Sequence, residues 1–409
     1  MGALCTAVPR NGAPAHGDNF PSFLFAAGAT VDVQQYRLAS PDALDALQAP
    51  AGAAVQLVLV FGAPRFFEHP RLLAALRRAF GAAPLLGCST AGEIGDDGVG
   101  DDGCVITTLR LRSTQLFEAT TRLAAMADSY DAGVRLGAQL APHGVKAVIA
   151  FAPGVAINGS ALVDGLGAGL GATTPVSGGL AGDSGSFVRT WTLGSNGVST
   201  DEVVAIGLRG ADLEFSHGSF GGWKAFGPVR RITGCAENVL TGIDGEPALD
   251  VYERLLGEHA AGLPATGLRY PFAIFDTERK EFGPIRTILG VDRARRSLTL
   301  AGAVQPASFL MLMHATHGQL VDGARAAAGA ARKMRAPSGD TLAILVSCIG
   351  RKLVMADRIG DEIAAVRGEL GARATLAGFY AYGEIGPFRD GATCLLHNQS
   401  MTTVWLGER

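Results

Sequence analysis

The chain has 409 residues, of which 48% are hydrophobic and 18% are charged, and its formal net charge is −3. This composition predicts a well-packed globular protein with room for two or three domains. The sequence shows no basic stripe, no apolar run of the roughly 18 residues that cross a bilayer, and no signal peptide. We therefore expect a cytoplasmic protein whose partners include neither nucleic acid nor membrane.

The first recognisable unit follows a Gly- and Pro-rich segment, residues 1–20, which is predicted to be a flexible tail. The run LVLVFGAPR (57–65) predicts a strand that ends at Arg65. The leucine spacing of residues 69–81 predicts a helix with a glycine at its end. A short strand, the motif GCSTAGEIG (87–95) and a further strand at 104–111 complete the unit.

The C-terminal region repeats this order. AILVSCIGR (343–351) predicts a strand that ends in Arg351, and residues 357–370 predict a helix. TLAGFYAYGEIG (375–386) supplies the next strand and the motif, and CLLHNQS (394–400) the last strand. The pattern predicts an α/β protein with mixed sheets, built in two halves from duplicated strand–helix–strand units.

A weaker copy lies between these two units. It contains the strand AVIAFAPG (147–154), a helical stretch at 160–170, the segment TPVSGGLAGD (174–183) and the strand VVAIGLRG (203–210). In it, Gly182-Asp183 is aligned with the Gly-Glu of the other copies. Residues 216–310 hold short predicted strands and one helix, so we place a domain boundary between an N-terminal domain, 21–215, and a C-terminal domain, 216–409.

Two interpretations of the repeated GEIG motif remain open. Its glutamates, Glu93 and Glu384, either cap a tight turn and pair with an arginine such as Arg65 or Arg351, or present a carboxylate to a ligand at a strand end. Neither copy matches a phosphate-binding loop, so nucleotide binding is not expected. The two glutamates could instead act as an acid/base pair.

The cysteines and histidines offer further candidates. No C-x-x-C pair occurs among the six cysteines, which predicts buried, reduced thiols. Cys88 or Cys348 with His397 could form a nucleophile and base. His397 ends an apolar strand, which fits either a hydrogen-bonded structural histidine or an axial haem ligand.

Several spaced segments resemble the FIST sensory family. They are LLGCSTAGEIG (85–95), TPVSGGLAGD (174–183), VVAIGLRG (203–210), GSFGGWKAFGP (218–228), IDGEPALDVYERLLG (243–257), LVSCIGRKLVMADR (345–358), AGFYAYGEIG (377–386) and LLHNQSMTTV (395–404). The resemblance implies a cytoplasmic input protein that binds a small ligand and acts on a signalling partner. It extends to a bacterial subgroup that binds haem, senses nitric oxide, and is associated with histidine kinases or cyclic-di-GMP enzymes.

The leading hypothesis is accordingly a haem-based nitric oxide sensor and not an enzyme, with a homodimer left open. His397 is the expected iron ligand, His314 and His317 are its competitors, and the candidate pocket walls are Trp223, Phe226, Phe379, Tyr380 and Tyr382. The second hypothesis is a haem-free sensor of an amino acid or similar metabolite, with Glu93, Glu384, Arg65, Arg351 and Cys348 as candidate ligand-binding residues. The third is an enzyme that uses a cysteine or the two glutamates.

Overall fold

The structure is a computed structural model that describes residues 6–7, 31–49, 55–171, 173–275, 282–334, 337–387 and 393–409. The predicted tail, residues 1–20, lies outside these ranges apart from Thr6–Ala7, a short strand paired with Val31–Leu38. Among the described residues, no helix combines the length and the apolar character needed to cross a membrane.

The first repeat unit begins with strands that flank two short helices. Its elements are β1 (Thr6–Ala7), β2 (Val31–Leu38), β3 (Leu57–Gly62), α1 (Pro64–Phe67), α2 (Leu72–Phe80), β4 (Leu85–Ser89), β5 (Glu93–Gly95), β6 (Gly98–Gly100) and β7 (Cys104–Leu111). Helix α2 buries Leu72, Leu76 and Phe80 and ends at Gly81, whose φ of 62° suits a residue without a side chain. The predicted helix at 69–81 is thus confirmed with a later start.

The second unit is complete, although its sequence motif is weak. Its elements are β8 (Gln115–Arg122), α3 (Ser129–Leu140), β9 (Ala147–Ala152), α4 (Gly159–Leu170), β10 (Val176–Leu180), β11 (Thr192–Gly194), β12 (Gly197–Ser199) and β13 (Glu202–Arg209). Strand β9 is buried along its whole length, as expected of a strand covered on both faces.

The third unit is interrupted by an inserted sheet after its first strand. Its own elements are β14 (Leu213–Phe220), α6 (His317–Met334), β23 (Ser338–Cys348), α7 (Ile349–Met355), α8 (Gly360–Leu370), β24 (Ala374–Ala381), β25 (Gly383–Pro387), β26 (Cys394–His397) and β27 (Met401–Glu408). The insertion contains β15 (Lys224–Ala236), β16 (Val239–Ile243), β17 (Glu246–Pro247), α5 (Ala248–Leu256), β18 (Phe272–Phe275), β19 (Phe282–Arg286), β20 (Ile288–Asp292), β21 (Ser297–Leu300) and β22 (Phe309–His314). Short 3-10 turns lie at Pro41–Ala46, Met126–Asp128, Ala141–His143, Gly257–Gly262, Ala265–Arg269 and Ala356–Arg358.

In each unit, one β-hairpin pairs with the sheet of a neighbouring unit and not with its own. The three repeat sheets have the strand orders β1-β2-β7-β3-β4-β11-β12, β26-β25-β10-β9-β13-β8 and β14-β27-β23-β24-β5-β6. The second unit's hairpin therefore extends the first sheet, the third unit's hairpin the second, and the first unit's hairpin the third. This exchange closes the three units into a ring, so the two predicted halves are interleaved. The predicted domain boundary at 215/216 falls within β14 and stays a prediction.

The first glycine of the motif has the same role in all three units. A Cβ on Gly87, Gly178 or Gly378 would lie 2.1, 1.8 or 1.9 Å from a carbonyl oxygen of the neighbouring parallel strand. Close backbone approach therefore requires glycine there. This equivalence confirms three related units and shows that the glycine is architectural.

Aromatic rings fill the space between the three repeat sheets. Phe61, Phe151 and Phe379 are fully buried, and their ring centroids lie 4.9 to 5.4 Å apart. Such offset and edge-to-face arrangements stabilise cores beyond the area that they bury. The centre of the ring of repeats is therefore packed at the level of these three residues.

The inserted sheet forms a separate layer with the order β19-β18-β22-β15-β16-β21-β20, and α5 packs on it through Leu249, Tyr252 and other apolar residues. Its β19 contacts β26, and its turn Ala265–Arg269 contacts α7. We call this contact region, between the inserted sheet and the third repeat unit, the junction.

Candidate functional site at the junction

The two motif glutamates occupy equivalent hairpin positions, facing Phe379 and Gly179 respectively across the adjacent strands. Glu93 accepts hydrogen bonds from the Thr90 hydroxyl at 2.9 Å and the Gly103 N–H at 3.0 Å. Burial raises the pKa of Glu93 to about 7. Both of its oxygens are used inside the turn, which supports the capping interpretation for this copy.

Glu384 makes the matching bond through one oxygen. Its Oε2 accepts from the Ser400 N–H at 3.1 Å and the Ser400 hydroxyl at 2.8 Å, whereas Oε1 is buried with no nitrogen or oxygen donor among the described residues and has the Cys348 thiol as its neighbouring weak donor. Burial raises the pKa of Glu384 to about 8. The side chain is therefore largely neutral near pH 7 and has unused hydrogen-bonding capacity.

In the middle unit the equivalent position is not Asp183, as the sequence alignment had it, but Thr192, which faces Cys88. Asp183 instead accepts the backbone N–H groups of Phe187, Val188 and Arg189 and so shapes the following loop. The misalignment arose because the loop before β11 is longer than in the other units.

The two predicted arginines do not pair with the motif glutamates. Arg65 donates to the carbonyl oxygens of Asp102 and Ala39 at an exposed corner. Arg351 is fully buried and forms an ion pair with Glu362 at 2.7 Å. The four charged residues are therefore not gathered into one site, and Arg351 has a structural partner of its own.

His397 is buried, at 3% exposure, and its Nε2 lies 2.8 Å from the carbonyl oxygen of Gly386. Burial lowers the pKa of His397 to about 4, so the imidazole is neutral at neutral pH. It lies directly opposite Glu384 across the β25–β26 pair. The environment supports the interpretation of a hydrogen-bonded structural histidine.

The five aromatic residues predicted as pocket walls lie in different places. Phe379 packs in the central aromatic cluster, and Tyr380 donates to Glu362 at 2.9 Å. Tyr382 stacks on Phe187, with centroids 4.0 Å apart. Since these rings do not surround His397, the residues as arranged do not fit a haem held by that histidine.

Trp223 lies at the junction, whereas Phe226 is an exposed residue of β15 in the inserted sheet. The Trp223 indole donates to the carbonyl oxygen of Gln399 at 2.8 Å. Phe226 is 37% exposed and meets His314 edge-to-face at 5.1 Å, with Tyr270 at 6.4 Å. His314 is thus a partly accessible histidine beside aromatic rings.

His317, the other competitor, begins α6, and its Nε2 lies 2.9 Å from the carboxylate oxygen Oδ2 of Asp361. One ring nitrogen of His317 is therefore engaged by a carboxylate of the protein. The residues at His314 fit an imidazole ligand with aromatic walls better than those at His317 or His397.

The turn between β26 and β27 carries a group of buried polar atoms without partners. Both amide atoms of Asn398, 2% exposed, and Oε1 of Gln399, fully buried, have no hydrogen-bond partner among the described residues. With Glu384 Oε1, they form a set of unused donors and acceptors around one turn. Because leaving such an atom unpaired costs about 1–3 kcal/mol, it suggests a ligand or water site.

Gln399 connects this turn to the inserted sheet. Its carbonyl accepts from Trp223, and its Nε2 donates to the carbonyl oxygen of Leu268 at 3.0 Å. Its backbone has a φ of 61°, in the left-handed region that a branched or long side chain seldom adopts. The turn is therefore held in an uncommon conformation by contacts on both sides of the junction.

Cys348, at the end of β23, faces the same turn. The backbone N–H groups of Gly350 and Gln399 point at its sulfur, and the Glu384 carboxyl lies beside it. Burial raises the pKa of the Cys348 thiol well above its usual range, and burial does the same for Cys88. A protonated thiol is a weak nucleophile, so these environments favour a packing or binding role over catalysis.

Sequence reasoning missed three residues at the junction: Asn398, Gln399 and Arg286. The first two stand directly after His397 in the segment LLHNQSMTTV (395–404), and a polar pair after an apolar strand was the available signal. Arg286, at the end of β19, is 4% exposed and donates to the carbonyl oxygen of Leu396 at 3.2 Å. No local pattern marks it, since its burial depends on contact between distant segments.

Two family models match this chain. No curated protein matches the chain. Among solved structures, that of cyanuric acid hydrolase from A. caulinodans is similar, with 13% identity and a TM-score of 0.36 over 93% of this chain and 99% of that one. The FIST N domain model matches residues 56–246 and the FIST C domain model matches residues 248–387. These two matches together span well over half of the sequence, and the chain therefore belongs to the FIST family of sensory, signal-transduction proteins.

Proposed function

We propose that this protein senses a small charged metabolite, such as an amino acid, that binds at the junction. The observation that carries the proposal is the group of buried, unpaired polar atoms on Glu384, Asn398 and Gln399. A ligand that supplies donors and acceptors to them would recover the free energy lost by their burial. Glu384 is retained from the sequence-based hypothesis, whereas Arg65 and Arg351 have other partners.

Gln399 offers a route from ligand binding to a signal. Its side chain and its carbonyl both bond to the inserted sheet, and its N–H faces Cys348. A ligand that bonds Gln399 Oε1 would act on the residue that joins the two layers. Binding would then favour one arrangement of the inserted sheet over another, which is what a sensor requires.

A matched pair of variants tests the site. Glu93→Gln and Glu384→Gln change equivalent carboxyls of two repeat units, but Glu384 alone of the two has an oxygen without a nitrogen or oxygen donor among the described residues. We expect amino acids in a thermal-shift and calorimetric screen to bind wild type and Glu93→Gln alike and to bind Glu384→Gln at least several-fold more weakly. Equal affinity for all three proteins would show that the ligand does not bind at the junction.

A haem-dependent nitric oxide sensor is the second candidate, supported by the contact between His314 and Phe226. His314 would hold the iron, and Phe226 with Tyr270 would cover the ring. Haem, when bound, supplies an iron that takes nitric oxide as a ligand. The test is the absorption spectrum of protein purified with haem supplied. A Soret band that shifts in His314→Ala but not in His397→Ala supports this version, and a spectrum without the band rejects it.

The output we propose is control of a separate histidine kinase or cyclic-di-GMP enzyme, as the family resemblance implies. The protein itself then needs no catalytic group, in agreement with the protonated state of Cys88 and Cys348. Adding the protein with and without ligand to such a partner should change autophosphorylation or cyclic-di-GMP turnover. A ligand-independent rate would contradict the signalling role.

A further inference from the structure

Arg286 brings a positive charge into the junction, and no carboxylate of the described residues bonds to it. Its guanidinium packs against Gly302, where an added Cβ would lie 2.7 Å from Nε. Burial lowers the pKa of Arg286 to about 10, although the group stays protonated at neutral pH. A buried cation is costly unless an anion compensates it.

The hydrogen bonds of Arg286 all go to neutral oxygens. Nε donates to the carbonyl of Ala303 at 3.1 Å, Nη1 to those of Ile285 and Leu396 at 3.3 and 3.2 Å, and Nη2 to the Ser160 hydroxyl at 3.4 Å. Guanidinium–carboxylate bonds are shorter, at roughly 2.7–2.9 Å. These bonds use four of the five guanidinium N–H groups, so the remaining N–H of Nη2, beside the weak bond to Ser160, is the one available to a stronger acceptor.

Carboxylates of the protein compensate this charge only at a distance. Among the described residues, Asp164 is the carboxylate that acts on Arg286 electrostatically, and it lies exposed on α4. The other ionisable group affected is His397, whose pKa burial lowers and the Arg286 charge lowers further. The guanidinium therefore contributes a positive field that, among the described residues, Asp164 balances only at a distance.

Helix α4 adds to this field. Ser160 is the second residue of this 12-residue helix, whose start is capped by Asn158 accepting from the Ala161 N–H at 3.1 Å. A helix N-terminus carries a partial positive charge and favours anions. The guanidinium of Arg286 and the first turn of α4 therefore converge on Ser160 from two elements that are distant in sequence.

We propose that Arg286 and Ser160 form a carboxylate subsite of the junction, so that the sensed metabolite is an organic acid or an amino acid bound through its carboxylate. This inference rests on the proposed function and narrows its ligand class. Arg286 bonds the carbonyl of Leu396, the residue before His397, and His397 faces Glu384.

A built-in anion provides the sharpest test. Ser160→Asp places a carboxylate beside the guanidinium and competes with the ligand, whereas Ser160→Asn has nearly the same size and no charge. The probes are L-alanine, sodium acetate, inorganic phosphate and the neutral amide alaninamide, each titrated by calorimetry into the full-length protein. We expect L-alanine and acetate to bind Ser160→Asp roughly tenfold or more weakly than Ser160→Asn, because the two variants differ in charge and hardly in size.

The remaining outcomes separate the two proposals. Equal affinity of Ser160→Asp and wild type, tighter binding of phosphate than of acetate, or equal binding of L-alanine and alaninamide would each overturn the carboxylate subsite. If a neutral compound binds and this binding needs Glu384 but not Arg286, the proposed function stands and the subsite fails. If no small molecule binds wild type, the proposed function fails with it.

A second variant keeps the test valid if Ser160→Asp does not fold. Arg286→Met retains the length and apolar stem of the side chain and removes the charge. The same probes should lose roughly tenfold or more in affinity for this variant. Unchanged acetate binding by folded Arg286→Met would contradict the assignment.

Discussion

Arg351 and Arg286 are both buried, at 0% and 4% exposure, but they are compensated in opposite ways. Arg351 forms two bonds with Glu362, at 2.7 and 3.1 Å, and donates to the carbonyl oxygen of Leu320 at 2.8 Å. Arg286 bonds neutral oxygens at longer distances. The comparison teaches that burial alone does not identify a functional charge, since a buried charge with a complete set of partners has a structural role.

The position of Arg351 explains that role. It also donates to the carbonyl of Gly221, just before the chain enters the inserted sheet, while Leu320 lies just after the chain returns. The Arg351–Glu362 pair therefore fixes both connections to the insertion. Arg286 lies on the other side of this arrangement, where the insertion meets β26.

The largest effect should follow removal of the paired arginine. Arg351→Met leaves Glu362 as an uncompensated buried charge, so we expect the free energy of unfolding to fall by about 3–5 kcal/mol. Urea denaturation measures this change. The control is Arg254→Met, which removes an exposed, solvent-screened pair with Glu246 and should hardly change the free energy of unfolding. Similar losses of unfolding free energy in Arg351→Met and Arg254→Met would show that the buried ion pair of Arg351 does not have the structural role inferred for it.

The buried carboxyls of Glu384 and Glu93 predict that the free energy of unfolding depends on pH. The pKa of Glu384 is raised from 4.5 to about 8, so the folded state holds a proton that the unfolded state has lost. Its contribution to stability is complete below about pH 4.5 and is lost as pH rises through about 8, with a slope of at most about 1.4 kcal/mol per pH unit.

Glu384→Gln should therefore flatten the decline in stability between about pH 5 and about pH 8. Glu93→Gln should flatten it only up to about pH 7, because the pKa of Glu93 is raised to about 7. Denaturant titrations at several pH values measure both slopes. Variants whose slopes match that of wild type would show that these carboxyls ionise normally in the folded protein.

A smaller effect is expected at the link between the two layers. Trp223→Phe removes the indole donor to Gln399 and should lower the free energy of unfolding by about 1 kcal/mol. It should also weaken the response of the signalling partner to ligand more than it weakens ligand binding. Trp405→Phe is the matched control, since its indole donates to Thr341 at 2.8 Å away from the junction.

The smallest effect on stability should come from Arg286→Met. Relief of an uncompensated buried charge offsets the loss of its bonds to neutral carbonyls, so the free energy of unfolding should change by less than about 1 kcal/mol without ligand. Urea denaturation without and with added L-alanine checks this. A loss as large as that of Arg351→Met would show that Arg286 is structural, and the contrast between the two arginines would disappear.

Much of the repeat architecture was predictable because it depends on local patterns. The buried strands, the helix that ends at Gly81 and the glycines at 87 and 378 all follow from short-range periodicity and backbone sterics. The middle unit was harder to align because Thr192 replaces the glutamate and its loop is longer. The exchange of hairpins left no local trace, since strand partners in different units are chosen by tertiary packing.

The candidate site was predicted less completely. Glu384 and Cys348 do face the β26–β27 turn, but the predicted aromatic walls are dispersed and Arg351 is paired elsewhere. The unused hydrogen-bonding atoms of Asn398 and Gln399 become visible only when every neighbour is placed. The same holds for Arg286, whose partners come from three separate segments of the chain.

The sequence by itself determined the fold class, the repeated unit and the family of this protein, because hydrophobic periodicity and glycine positions act over a few residues. The tertiary structure alone decided which buried charges are compensated. Compensation depends on distances of a few ångströms between residues such as Arg351 and Glu362, or Arg286 and Ser160, and the sequence does not encode those distances locally.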